Sequence, residues 1–226
     1  MESQIHAPKV EIIFVAGFVM IEDSSTLACR EIKRLDVETP LGVVHLAAFA
    51  QKPDHRSVIF GILSDYVGVR VSAVDLCESK ENPRPEFAKL DFDVNWTHSD
   101  GFCVCAYGEH GSKGRLKIGV DLERFSPKRL HLAERFFSKE ESTALAGLDG
   151  ECALQEFFKL WCRKEAFYKC VGGEFFEGTL RRDMQKNPVL VQAPDSDESF
   201  SVHFVDLDAA AVGAPMRAAL CVAVAE

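Results

Sequence analysis

Apolar and polar positions alternate along residues 116–123, LKIGVDLE. Every second residue is apolar, a period that predicts a β-strand with one buried face. The other face carries Asp121 and Glu123, which are only two residues apart. Two carboxylates on one face of a strand repel each other unless a cation or a proton lies between them. The end of this strand is therefore a candidate site for a bound cation.

Apolar runs and turn residues divide the rest of the chain into strands and helices. A helix over residues 53–69 is expected to begin after Asp54 and to end at Gly68, and Ser138 with Glu141 forms a capping box for another helix. The pattern predicts a long helix over about residues 152–171. Further helical segments are expected between 129 and 147, and further strands at 9–20, 41–50, 102–107, 199–207 and 216–226.

This order of elements predicts an α+β fold. Each half of the chain contains strands around one long helix, which indicates two similar, pseudo-symmetric halves, each a small and mostly antiparallel sheet packed on its helix. We place the boundary so that residues 1–112 form the N-terminal half and residues 113–226 form the C-terminal half.

Composition narrows the classes of function. The 226 residues are 47% hydrophobic and 27% charged, as in an ordinary globular protein. The net charge of −9 disfavours a nucleic-acid-binding protein, for which a basic domain is expected. We find no apolar run long enough to span a membrane and no basic segment of a secretory signal before the first apolar run, so a cytoplasmic protein is expected. The eight cysteines form no C-x-x-C pair, which favours reduced structural thiols over a zinc site.

The long helix carries polar residues that recur at a spacing of four. Trp161, Glu165 and Lys169 therefore lie on one side of it. Taken alone, Glu165 and Lys169 would be read as an exposed ion pair. Together with the two strand carboxylates, Glu165 supplies a third oxygen ligand of the kind that Mg²⁺ prefers, and Lys169 lies one helical turn beyond it, where phosphate charge would accumulate.

These motifs resemble a known family. IGVDLERF followed by LWCRKEAFYK resembles the paired signature G-[VI]-D-x-E and W-x-x-K-E-[AS]-x-x-K of the 4′-phosphopantetheinyl transferase superfamily. ERFFSKEE, VNWTHSDGFCVCAY and PDHRSVIFGILSDYVGV resemble further segments of that family in the same order. The chain length resembles that of the two-halved, monomeric branch of the surfactin-synthetase activating type.

The resemblance implies a set of site residues. Asp121, Glu123 and Glu165 match the family's magnesium ligands. Glu165 is also the candidate base that accepts a proton from the serine hydroxyl of the protein substrate, directly or through a water. Lys169 matches a lysine that contacts coenzyme A phosphate and assists the leaving group. The remaining cofactor contacts implied by the resemblance are Lys164, Thr97, His98, Arg56, Ser57 and Arg84.

The implied reaction moves the phosphopantetheine arm of coenzyme A to a serine of an apo acyl carrier protein or peptidyl carrier domain. Adenosine 3′,5′-bisphosphate is released, and fatty-acid, polyketide or nonribosomal-peptide synthesis would use the product. We assign the chain to the holo-[acyl-carrier-protein] synthase class of these enzymes. We expect a monomer with no nucleic-acid or membrane partner.

The sequence departs from the family at two places in its first half. Few basic residues precede the first-half helix, so Lys52, Lys33 or Arg34 would have to meet the 3′-phosphate of coenzyme A. Pro83 replaces the glycine of a G-K-P motif, in which Arg84 replaces the lysine.

Two other functions stay open. One is a hydrolase that uses Asp121 and Glu123 as acid and base, although side chains at i and i+2 of a strand point the same way and do not flank a bond. The other is a non-catalytic module of the same fold that binds coenzyme A or a carrier protein.

Overall fold

A computed structural model describes residues 32–50, 54–77, 86–87, 90–111, 114–171, 181–192, 199–207 and 216–225. In this part of the chain, two four-stranded antiparallel sheets and a two-stranded one combine with helices. The strands are β1 (Lys33–Thr39), β2 (Gly42–Ala50), β3 (Leu76–Cys77), β4 (Glu86–Phe87), β5 (Phe92–Ser99), β6 (Phe102–Glu109), β7 (Arg115–Arg124), β8 (Val189–Gln192), β9 (Ser199–Leu207) and β10 (Met216–Ala225). The α-helices are α1 (His55–Val67), α2 (Leu132–Phe136), α3 (Lys139–Ala146) and α4 (Gly150–Val171), and 3₁₀ turns lie at Ala73–Asp75 and Pro127–Arg129.

The first sheet has the strand order β1-β2-β6-β5, and one of its faces is covered by α1. Ile59, Ile62 and Leu63 of the helix are fully buried in the core that they share with the sheet. The helix follows Asp54 and ends at Gly68, as expected from the sequence. Gly68 has a φ of 71°, a left-handed conformation that suits glycine at the end of a helix.

The second sheet has the order β7-β10-β9-β8 and is covered on one face by α4. The sequence predicted this helix and the strands on 116–123, 199–207 and 216–226, and the structure confirms them to within about two residues. Ser138 and Glu141 form the expected capping box at the start of α3. The two halves share one connection pattern. In each half, the strand before the long helix pairs with the last strand after it: β2 pairs with β6, and β7 pairs with β10.

The uncovered faces of the two sheets pack against each other. Leu46 and Val104 from the first sheet share one buried cluster with Val120 and Leu220 from the second. The layers are therefore helix, sheet, sheet and helix, an α+β arrangement of two similar halves, as predicted. Among the described residues, no helix combines the length and apolar character needed to cross a membrane.

Polar side chains of β5 link the two sheets by hydrogen bonds where β5 lies beside β7. The Asp93 carboxylate accepts a hydrogen bond from the Ile118 backbone N–H at 2.5 Å, and the Asn95 side-chain oxygen accepts one from the Val120 N–H at 3.1 Å. Asp93 and Asn95 are buried, and these bonds give partners to backbone donors of β7 that would otherwise lie unsatisfied in the core. The same row of alternate residues on β5 continues to Thr97, which lies in the candidate site.

The close approach of α4 to β7 requires a glycine. A Cβ atom added to Gly119 would lie 1.9 Å from the Ala166 carbonyl oxygen and 2.6 Å from the Cys170 backbone nitrogen. Without a side chain at this position, the helix backbone lies directly on the strand, which brings Glu165 and Lys169 over the carboxylate face of β7.

Three sequence-based expectations differ from the described structure or lie outside it. The strand predicted at 9–20 falls outside the described residues. Five strands were missed. KRLDVET of β1 is mostly charged or polar, and β3, β4 and β8 are too short for a periodic signal. β5 was missed although Phe92, Val94 and Trp96 alternate with polar residues. The helical segments predicted between 129 and 147 are present as the short helices α2 and α3, but the 3₁₀ turn before them was not predicted.

Candidate active site

Asp121 lies at the centre of a polar cluster where β5, β7 and α4 meet. Its Oδ1 atom accepts hydrogen bonds from the Lys169 ammonium at 2.7 Å and from the Thr97 hydroxyl at 3.3 Å. The residue is only 5% exposed, and its Oδ2 atom is buried without a hydrogen-bond partner. A buried, unpaired carboxylate oxygen is costly, so this atom is available to a ligand.

Lys169 reaches this carboxylate from the last turn of α4. Its ammonium donates to Asp121, to the Thr97 hydroxyl at 3.1 Å and to the Val120 carbonyl at 3.1 Å. The lysine therefore joins one residue from the first half of the chain to two from the second.

Glu165 lies one helical turn before Lys169 on the same side of α4. Burial and the neighbouring Asp121 carboxylate raise the pKa of Glu165 to about 7, whereas Lys169 acts to lower it. The Glu123 carboxylate also raises the pKa of Glu165, so the three acidic side chains lie close enough to influence one another.

Glu123 forms an ion pair with Arg129. Its Oε1 atom lies 2.7 Å from Nη1 of Arg129, on the 3₁₀ turn that follows β7. Burial and Asp121 raise the pKa of Glu123, and Arg129 opposes that shift. The sequence analysis missed Arg129, because an arginine six residues beyond Glu123 carries no periodic signal and only the 3₁₀ turn brings it back to the strand.

The donor set fits a hard divalent cation. Asp121, Glu123 and Glu165 offer carboxylate oxygens, which are the ligands that Mg²⁺ prefers, and the Asp121 Oδ2 atom is buried and unpaired. Among the described residues, no three His, Cys, Asp or Glu side chains form a ready-made metal cage. Two of the three carboxylates have cationic partners instead: Lys169 lies against Asp121 and Arg129 against Glu123.

Thr97 and His98 lie on opposite faces of β5. Thr97 points to Lys169 and Asp121, while the His98 ring lies beside the ring of His55, with 5.4 Å between the centroids. His55 begins α1 and was also missed by the sequence analysis, although it directly precedes Arg56. The predicted pair of adjacent residues therefore meets two different groups of side chains.

Arg56 and Ser57 follow in the exposed first turn of α1. The Arg56 guanidinium lies 5.9 Å from the centre of the Trp96 ring, on the face of β5 that also carries His98. No acidic residue lies in this first helical turn. Arg84 lies outside the described residues.

Lys164 is placed elsewhere, and its expected contact with coenzyme A is wrong for this geometry. The side chain is fully buried, lies 2.7 Å from the buried Glu141 carboxylate and donates to the Arg182 carbonyl at 2.7 Å. Its ammonium also lies over the Phe137 ring. A fully enclosed ammonium has no surface to offer a cofactor, so Lys164 belongs to a structural ion pair.

Arg34 is also engaged away from the cluster. Its guanidinium donates to the Tyr107 hydroxyl at 3.2 Å and lies 3.8 Å from the Asp65 carboxylate, near the C-terminal end of α1. This places Arg34 at the opposite end of α1 from Arg56. Lys52, another candidate for the 3′-phosphate, lies outside the described residues.

The six cysteines named below form no disulfide in the described part of the chain. All have free thiols: Cys103, Cys105, Cys152, Cys162, Cys170 and Cys221. Cys103 and Cys105 point to the same face of β6 and are fully buried in the core beneath α1.

Comparison with known proteins agrees with the geometry. Residues 117–221, which contain most of β7, all of α4 and the three carboxylates, match the family model described as the 4′-phosphopantetheinyl transferase superfamily. The chain is 29% identical to the 4′-phosphopantetheinyl transferase Sfp of Bacillus subtilis over 172 residues, which cover 71% of this chain and 73% of that protein.

Two further relatives match shorter stretches. The 4′-phosphopantetheinyl transferase gsp of Aneurinibacillus migulanus is 28% identical over 126 residues, 49% of this chain and 51% of that protein. A putative 4′-phosphopantetheinyl transferase of Synechocystis is 44% identical over 96 residues, 41% of this chain and 39% of that protein. The alignments thus span from under half to nearly three quarters of these relatives' lengths.

The relatives also correct the class assigned from sequence. They indicate the Sfp type of enzyme, and not the holo-[acyl-carrier-protein] synthase type. The signature motifs on β7 and α4 meet at one cluster, and over residues 117–221 the chain is similar to the 4′-phosphopantetheinyl transferase superfamily.

Proposed function

We propose that this protein transfers the phosphopantetheine arm of coenzyme A to a serine of an apo acyl carrier protein or peptidyl carrier domain. The serine oxygen attacks the β-phosphorus of coenzyme A, an O–P bond forms, and the bond from that phosphorus to the bridging oxygen breaks. Adenosine 3′,5′-bisphosphate leaves, and the serine proton passes to a base on the protein. The contact between Lys169 and Asp121, beside a buried Asp121 oxygen that has no hydrogen-bond partner and near Glu123 and Glu165, supports this proposal most strongly.

Asp121, Glu123 and Glu165 would hold Mg²⁺. When bound, the ion supplies positive charge that neutralises the non-bridging oxygens of the diphosphate. Lys169 would bind a phosphate oxygen of coenzyme A. Its ammonium lies beside the cluster and donates to three oxygen atoms, any of which it can exchange for a phosphate oxygen. Phosphoryl transfer needs mainly such positioning and charge neutralisation.

Glu165 is the proposed acceptor of the serine proton. It lies on the same side of α4 as Lys169. Glu165 is partly exposed, whereas Asp121 is buried. A carboxylate in this position can meet an approaching hydroxyl, whereas Asp121 is enclosed by Thr97 and Lys169.

Coenzyme A would lie along the first half of the chain. Arg56, Ser57 and His98 border one surface at the start of α1 and the end of β5, and Thr97 links that strand to the cluster. These residues and Arg84 are the proposed cofactor contacts. The halves 1–112 and 113–226 would thus have distinct tasks, cofactor binding and metal binding.

A monomer in the cytoplasm is proposed. The cluster takes Thr97 from one half and Asp121 and Lys169 from the other half of the same chain, so a single copy supplies all of these residues. The six free thiols suit a reducing compartment. The net charge of −9 gives no general attraction for nucleic acid or anionic membranes.

Mass spectrometry of a small panel of apo carrier domains, incubated with the full chain, coenzyme A and Mg²⁺, tests the proposal. Transfer adds the phosphopantetheine mass to one serine. Glu165→Gln should abolish transfer, whereas Glu156→Gln should not, since Glu156 lies on the same helix but pairs with Lys159. Stabilisation by Mg²⁺ together with coenzyme A but no transfer to any carrier would instead identify a binding module. Normal turnover by Glu165→Gln would contradict the assigned site.

A further inference from the structure

Arg129 is held over the edge of the carboxylate cluster by its local structure. The 3₁₀ turn Pro127–Arg129 is closed by a hydrogen bond from the Arg129 N–H to the Ser126 carbonyl at 3.0 Å. Phe125 before the turn and Leu130 after it both pack on the core beneath α4. The turn is therefore anchored at both ends, and its arginine side chain is directed back to Glu123.

The resulting ion pair lies at the rim of the cluster. The Arg129 guanidinium is 2.7 Å from Glu123 Oε1, and the arginine side chain is 44% exposed while the glutamate side chain is 18% exposed. The partner carboxylate is thus mostly enclosed, whereas the cation can leave into solvent. Lys169 differs, because its ammonium donates to oxygen atoms on the inner side of the cluster and its side chain is less exposed, at 25%.

We propose that Arg129 sets the affinity of the carboxylate cluster for a divalent cation by competing with it for Glu123. This inference rests on the proposed metal site. A dication that takes an oxygen of Glu123 must displace the guanidinium or accept a positive charge within a few ångströms of itself. Either outcome costs electrostatic free energy that a neutral side chain at this position would not impose.

The adjacent residue on β7 provides a matched control. Arg124 Nη1 also lies 2.7 Å from a carboxylate oxygen, that of Asp100, but both side chains are well exposed, at 62% and 49%. Because successive residues of a strand point to opposite faces, Arg124 faces away from Glu123. Its removal changes the net charge of the protein by the same amount without touching the cluster.

Binding of Mn²⁺ to the full chain, followed by the electron paramagnetic resonance signal of the free ion, tests the inference without any assay of turnover. Arg129→Gln should bind Mn²⁺ about tenfold more tightly than the wild type. Arg129→Lys keeps the charge and should remain close to the wild type, as should Arg124→Gln. Circular dichroism of each variant checks that the fold is kept.

A double-mutant cycle with Glu123→Gln shows whether the effect passes through the ion pair. In the Glu123→Gln background, Arg129→Gln should tighten Mn²⁺ binding clearly less than it does in the wild-type background. Equal dissociation constants for the wild type and Arg129→Gln, or weaker binding by the variant, would overturn the competition while leaving the metal site intact. Absence of Mn²⁺ binding by every variant at millimolar concentration would overturn the metal site itself and this inference with it.

Discussion

The Lys169 ammonium lies 2.7 Å from the Asp121 carboxylate and joins the end of α4 to the end of β7. The Asp121 side chain is almost fully enclosed, whereas the Lys169 side chain is 25% exposed. The cation that neutralises Asp121 is therefore also the one that can turn towards a ligand at the surface. With Arg129 beside Glu123, this pairing gives two of the three carboxylates a cationic partner.

Lys169→Met should lower the rate of transfer even at saturating coenzyme A. Loss of a charged group that acts on a developing phosphate charge reduces turnover by about 10²–10³-fold. Initial rates of carrier-protein loading at increasing coenzyme A concentration measure this effect. Lys159→Met, on the same helix but paired with Glu156, is the control and should keep the wild-type rate. An unchanged maximal rate in Lys169→Met would remove the lysine from the chemistry.

Gly119→Ala should destabilise the protein by about 3 kcal/mol or more, because the new methyl group would overlap the backbone of α4. The Ala166 carbonyl oxygen would be only 1.9 Å from the added Cβ, and it cannot move without the helix. Unfolding in urea measures the loss. Gly61→Ala is the matched control: Gly61 lies inside α1 with no atom within 4 Å of an added Cβ. It should be neutral or stabilising by about 0.5 kcal/mol. Similar stabilities for the two variants would contradict the close packing of α4 on β7.

The positions of the carboxylates could be predicted largely from local pattern. A period of two on β7 places Asp121 and Glu123 on one face, and a spacing of four on α4 places Glu165 above Lys169. The structure brings these two faces together across Gly119, where Lys169 contacts Asp121. Such periodicities are properties of single elements, and they persist in the fold.

The partners of individual side chains could not be predicted in this way. Lys164 is adjacent to Glu165, yet one step along a helix turns its side chain into the core, where Glu141 meets it. The contact between Arg129 and Glu123 depends on a 3₁₀ turn, and the polar row of β5 depends on strand packing between the sheets. These are tertiary contacts, and no spacing in the sequence encodes them.

Lys164→Met should destabilise the fold by about 3 kcal/mol or more, since it leaves the Glu141 carboxylate buried without its cation. Glu141 also accepts hydrogen bonds from the Ser138 and Met184 N–H groups, both at 2.8 Å, so it cannot turn away to reach water. Urea unfolding measures the change. Lys159→Met, which breaks a more exposed pair with Glu156, should cost at most about 0.5 kcal/mol.

The affinity of the Lys164→Met variant for coenzyme A tests whether Lys164 has only a structural role or also contacts the cofactor, as expected from the sequence. Where Lys164→Met is folded, its dissociation constant for coenzyme A, measured by titration calorimetry, should equal that of the wild type. A weaker affinity with unchanged stability would restore Lys164 to the cofactor site.

The buried thiol of Cys103 should make the protein less stable at alkaline pH. Burial raises the pKa of Cys103 to about 12, from its ordinary value of 9.0. Between these values the unfolded chain has lost the thiol proton and the folded protein has kept it, so the free energy of unfolding falls as pH rises. One such group contributes a slope of about 1 kcal/mol per pH unit. Cys103→Ala should therefore show a correspondingly shallower loss of stability between pH 9.5 and 10.5 when urea unfolding is compared within each variant. Cys152→Ala removes an exposed thiol and should keep the wild-type slope; an equally steep loss in Cys103→Ala would show that its thiol ionises alike in both states.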